Sequence, residues 1–192
     1  MLRVTSIFMA CLLLSFSASA FDVKAVARLL ETKKCVQCDL RSADLHEADL
    51  RKVYLQGANL QKANLGGADL QSAKLYKAHM AGANLAGANL LHARMEQIDL
   101  GQAILEGAIL QKGYMDQANL GGCNLKNADL RQAHLVGVFL QGADLSGADL
   151  TGANLFGANL RRVKWDGAKL EGTHWINGKV CKPGSIGRCI LP

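Results

Sequence analysis

The sequence holds no run of five or more basic residues, no Ser in a Gly-x-Ser-x-Gly elbow and no glycine-rich phosphate loop opening a helix. Those absences leave hydrolase, nucleotide-binding and strongly polybasic readings without a footing. Aromatic residues are scarce at 5%, and the two prolines both fall within the last ten positions. The only sizeable apolar run, residues 7–16, is too short to span a bilayer. It follows a basic start at Arg3 and precedes Ala18-Ser19-Ala20, a small-residue cleavage signal. Residues 1–20 are therefore expected to be a signal peptide, giving an exported protein, periplasmic or secreted, with no integral membrane segment after cleavage. Loss of Arg3 takes the net charge from +6 to +5, which is mildly basic.

What is present is a repeat. From 40 to 175 every position divisible by five is large and apolar, 28 in all, and Leu fills 23 of them. The rest are Met80, Met95, Met115, Trp165 and Trp175. Two residues before each such centre stands a small residue, Ala in 20 of 28 cases, and the residue immediately before it is Asp or Asn in 16. Gly is frequent two places after the centre. A five-residue period makes no stripe on an α-helix, because each step rotates the side chain by about 140°. On a continuous strand it flips the centre to the opposite face each time. A short extended piece followed by a corner, repeated, keeps every centre inside with the small residue beside it.

The units Ala43-Asp44-Leu45, Ala58-Asn59-Leu60-Gln61-Lys62 and Ala148-Asp149-Leu150-Thr151-Gly152 resemble the repeat of the pentapeptide-repeat family. The resemblance covers about 140 residues in one register. It implies an all-β solenoid, a right-handed quadrilateral β-helix with four units per coil and about seven coils. The expected divisions are 1–20 signal peptide, 21–37 N-terminal capping helix and turn, 38–177 β-helix, and 178–192 C-terminal capping tail. The helix is expected from an Asp22 N-cap to about Lys33, with Val23, Val26, Leu29 and Leu30 on its packed side. The tail pattern around Trp175, Gly178, Cys181 and Cys189 also resembles tails of some exported members.

Sorting the residue before each centre by position modulo twenty separates one side from the other three. It reads Tyr54, Lys74, Arg94, Tyr114, His134, Asn154 and His174, with Asp or Asn only once. This divergent face is the expected partner face, centred on Tyr54, Lys74, Arg94, Tyr114 and His134, with Glu96 and Asp116 offsetting its cations. Nearer the C-terminus the same side carries Val136, Phe156 and Ile176 after the centres, with Phe139 one face on. Stacked at twenty-residue spacing, these make an apolar patch suited to a homodimer or to cover by the tail.

Cys35-Val36-Gln37-Cys38 has the spacing of a disulfide, a redox pair or half a zinc site. A redox thiolate belongs at a helix N-terminus, whereas Cys35 follows a helix, and zinc needs two further ligands. In an oxidising compartment a structural disulfide is the preferred reading, with Cys181 and Cys189 stapling the tail in the same way. Cys123 replaces an inward Ala and reads as a buried thiol. His134 and His174 share a face but lie two rungs apart, about 9.6 Å, so no metal site is expected. No cofactor or catalytic residue is expected. The leading function is a non-catalytic scaffold or protein-interaction module. The alternatives are an anionic-polymer binder acting through the divergent face and a DNA-mimic topoisomerase-binding protein, known from the family but opposed by the basic charge and export signal.

Overall fold

The computed structural model describes residues 23–192; the expected signal peptide and Asp22 cap lie outside the described residues. Between the two ends the chain winds as a coil in which residues twenty apart pair side by side. Parallel bridges run without a gap in register from Lys34 with Tyr54 to Asn154 with His174. Each bridge joins the residues just before two stacked centres, so one coil takes four five-residue sides. We number the faces by those residues: the first holds Tyr54 and Lys74, the second Asn59 and His79, the third Asn64 and Asn84, the fourth Asp69 and Asn89.

The corners explain why five residues suffice. The centre's carbonyl accepts the N–H three residues on, as Leu60 does from Ala63 at 3.0 Å and Leu85 from Ala88 at 3.0 Å. The residue two past the centre is left-handed at all 28 corners from 37 to 172, with φ between 54° and 73°. That combination is the signature of a type II turn. Gly occupies 13 of these corners and residues bearing side chains the other 15.

The Asp and Asn before the centres have a specific task. In every one of the 16 cases Oδ1 accepts the backbone N–H two residues on, at 3.0–3.3 Å. Each such Asx turn satisfies a corner N–H that the coil ladder leaves over. A carbonyl oxygen and a carboxylate oxygen accept this bond alike, which is why Asp and Asn interchange.

Centres and small residues from all four sides of each coil fill the interior, and nearly all are fully buried. Packing loosens only toward the ends, where Cys38, Ala48, Leu160, Val163, Trp165 and Trp175 are partly exposed. A stacked core has open rungs at its termini, and both are covered. Helix α1 (Val23–Thr32) lies over the first coil with Ala25 and Leu29 buried and Val26 beside them. Val23 and Leu30, expected on the packed side, are 57% and 40% exposed. Val23 lies about 160° round the helix from Ala25, so the stripe that meets the core runs through Ala25 and Leu29. Lys33 ends the helix in the left-handed conformation, its N–H on the Leu29 carbonyl. Its ammonium bonds the Asp49 carbonyl, tying the helix to the first coil.

At the far end the tail doubles back. Ile186 and Val180 pair antiparallel with Lys169 and His174, so the last rung's free edge is occupied on two faces. Trp165 and Trp175 meet with ring centroids 5.6 Å apart where the interior closes. Ser185 is buried and its hydroxyl is bonded both to the Lys182 carbonyl and to the Ile190 N–H. No helix among the described residues is long and apolar enough to cross a membrane.

Candidate partner-binding face

On the second to fourth faces the ladder residues are mostly Asp and Asn, bonded into their own corners. On the first face they are free to interact with one another. The Tyr54 ring is sandwiched between the ammonium of Lys34, 5.9 Å from its centroid, and that of Lys74, at 4.4 Å. Lys74 also donates to the Tyr54 hydroxyl at 3.3 Å. Tyr114 and His134 stack with centroids 4.7 Å apart, the rung spacing itself. The expected face residues Tyr54, Lys74, Arg94, Tyr114 and His134 thus form one continuous column on successive rungs.

Arg94 is held differently. Its guanidinium donates twice to Glu96 Oε1, at 2.7 and 3.0 Å, and that pairing raises it further above its ordinary value. Asp116, expected to offset the basic pair, instead accepts the Val136 N–H at 2.9 Å, standing in for a missing Asx residue. Among the described residues Lys34, Lys74 and Lys77 have no carboxylate at ion-pair distance. Lys77 lies 5.1 Å from the Tyr76 ring centroid.

One row over, Gln56, Tyr76 and Glu96 follow their centres on three successive rungs. With Lys74 and Arg94 they line an open groove of about 330 Å3. Two acceptors in it, Gln56 Oε1 and Glu96 Oε2, are buried and have no hydrogen-bond partner among the described residues. The sequence reading missed this groove. Spacing alone does not mark it, because Gln61, Gln71 and Gln111 follow their centres on other faces as Gln56 does.

The residues of the expected apolar patch differ in exposure. Phe139, Phe156 and Ile176 are 52%, 53% and 40% exposed, while Val136 is half-buried. The tail passes close to Phe156 at Gly178, whose added Cβ would sit 3.7 Å from the ring, but leaves it uncovered. Ile104 and Ile109, unremarked in the sequence, are exposed intruders in the Asx ladders of the third and fourth faces.

The cysteines fall into two close pairs, Cys35 with Cys38 at Cα–Cα 5.5 Å and Cys181 with Cys189 at 5.1 Å, each with its sulfurs at bonding distance. Cys123 is buried, with Sγ 2.9 Å from the Leu100 carbonyl, and burial pushes its thiol up to about 12. Among the described residues no three His, Cys, Asp or Glu side chains gather as a metal set.

Comparison with known families decides the relationship. The model described as pentapeptide repeats matches residues 34–71, 63–102, 83–122, 114–152 and 123–162, together more than half of the chain. The chain belongs to the pentapeptide-repeat family. A search of curated proteins finds no match. Among solved pentapeptide-repeat folds, full-length QnrB1, a plasmid-mediated fluoroquinolone resistance protein, is 21% identical. The alignment covers 73% of this chain and 71% of that one, with TM-score 0.61. A trypsin-treated QnrB1 variant gives 21% identity, 77% and 76% coverage and TM-score 0.60. At that identity the likeness is one of fold, a right-handed β-helix solenoid. HetL of Nostoc, a pentapeptide-repeat protein involved in heterocyst differentiation, is 23% identical over 84% of this chain and 100% of its own, with TM-score 0.33.

Proposed function

We propose that this protein is an exported, non-catalytic interaction module. Its seven coils, closed by α1 at one end and the disulfide-stapled tail at the other, present the first face to a partner. The carrying observation is that this face alone abandons the Asx ladder for a column of stacked cations and aromatic rings. Family members are generally structural or interaction proteins, which accords with this reading. The test is recovery of partners from the exported fraction with the immobilised wild type and with a Lys74→Glu/Arg94→Glu variant. Loss of the bound material in the variant is expected; unchanged recovery refutes the assignment.

A second reading, homodimer formation, is favoured by the exposed side chains of Phe139, Phe156 and Ile176 toward the C-terminal end, large apolar groups of the kind that partners cover. The QnrB1 likeness lends no activity to this chain. On the fourth face, Asn89 and Ile109 interrupt the aspartates. Asp49, Asp129 and Asp149 are each paired with a cation, Arg51, Arg131 and Lys169. Such a surface gives no support to a mimic of duplex DNA.

A further inference from the structure

We propose that the groove of Gln56, Tyr76 and Glu96 is a subsite for one unit of a carboxylated polysaccharide, a hexuronate chain that runs along the coil axis over the first face. The inference rests on the first face being the partner face and narrows it to one ligand chemistry.

Three features of the groove set that chemistry. Gln56 Oε1 and Glu96 Oε2 are buried acceptors lacking donors. A ligand hydroxyl that draws these side chains outward gives each the donor it lacks, which offsets the free-energy cost of a bare buried acceptor. Lys74 on the rim and Lys77 nearby bring unneutralised ammonium groups, which call for an anion on the same ligand. Tyr76, 40% exposed, offers the negative face of its ring to the weakly positive C–H face of a pyranose. Hydroxyls, a carboxylate and an apolar ring face occur together on a uronic acid. A phosphodiester backbone of DNA supplies acceptors only. It has no donor for Glu96, whereas a hexuronate can turn hydroxyls toward Glu96 and its carboxylate toward Lys74.

The axial arrangement extends the match. The column from Lys34 to His134 places a cation or a ring on six successive rungs. At about 4.8 Å per rung it runs for about 24 Å. An extended hexuronate chain advances by nearly one rung per sugar, so each unit meets the next side chain in register. Tyr54 between Lys34 and Lys74 repeats the ring-and-cation motif one rung from Tyr76.

The test uses the full exported chain, titrated calorimetrically at low salt with alginate and polygalacturonate oligomers. Neutral cello-oligomers and oligodeoxythymidylate serve as comparators. Binding of at least one hexuronate is expected, weakened by salt, with both comparators at least about tenfold weaker. Lys74→Gln, at a half-buried side chain, and Tyr76→Ala, at an exposed one, should each lose about tenfold. Lys62→Gln, at the corner between the second and third faces, removes the same charge and should leave affinity unchanged. Equal or tighter binding of the oligonucleotide overturns the proposal in favour of nucleic acid, and equal binding of the neutral sugar removes the role given to the lysines. An unaltered affinity in both groove variants places the sugar elsewhere. If neither hexuronate binds while Lys74→Glu/Arg94→Glu still loses its partner, this inference falls and the interaction-face reading stands. If that double variant keeps its partner too, both fall.

Discussion

Substituting Gly87 by Ala isolates what a left-handed corner costs this fold. Gly87 has φ +65°, and an added Cβ there meets no heavy atom within 4 Å. The methyl therefore clashes with no neighbour, and the effect is conformational. An L-residue in the left-handed region costs about 1–2 kcal/mol. The stiffer unfolded chain returns about 0.4–1 kcal/mol. The net loss is about 1 kcal/mol. At Gly122 the same methyl runs into the Gln102 side chain, whose flexible amide must swing away, so Gly122→Ala should cost more. The reverse change, Lys112→Gly at φ 54°, should stabilise by a similar amount. Asn127→Gly should gain least, since Asn tolerates this region. Urea unfolding followed by circular dichroism gives the order of midpoints: Lys112→Gly above wild type, then Gly87→Ala, then Gly122→Ala. A Gly87→Ala midpoint equal to wild type, or a lowered one for Lys112→Gly, refutes the account of the corners.

Three further outcomes follow from the same structure. Reducing the Cys35–Cys38 and Cys181–Cys189 pairs should loosen each end by about 2–3 kcal/mol and open helix and tail to protease. Collapse of the whole β signal on reduction would contradict a column held by Leu and Ala burial. Asp39, Asp49 and Asp129 are held below their ordinary values chiefly by Arg41, Arg51 and Arg131, and Asp144 chiefly by the Ser146 hydroxyl. Their stabilisation is present above the unfolded carboxylate value of about 4 and is lost as pH falls through the lower folded values. Tm should therefore drop between pH 4 and pH 2, and a flat or rising Tm there counts against it. Light scattering should give a dimer at micromolar concentration and a monomer for folded Phe156→Asp; an equally dimeric variant removes the apolar ladder as the interface.

The repeat was legible because inward positions recur without a slip: Leu40 to Trp175 name the core, and position modulo twenty names the face. Two chemical layers were less visible. The five-residue pattern shows that Asp and Asn precede the centres, yet only the coiled backbone reveals the corner N–H that Asn84 or Asp99 satisfies. Left-handed residues are legible where Gly stands, but Glu47 and Lys62 adopt the same conformation because the coil ladder imposes it. The helix stripe was misread because a core built of Leu and Ala accepts Ala25 as readily as a larger residue. The groove beside Tyr76 depends on which way Gln56 and Glu96 turn, and residue spacing says nothing of rotamers.

Because each Asx oxygen serves its own corner, a five-residue side is complete in itself. Insertion of one such unit would leave every centre buried, yet turn all downstream side chains a quarter-turn about the axis. The column from Lys34 to His134 would then break, and Phe156 would leave the side of Tyr54. Inserting twenty residues would instead lengthen the column and keep each side chain at its bearing. The molecule thus works as an angular scale: its core tolerates steps of five, whereas its surface messages survive only in steps of twenty.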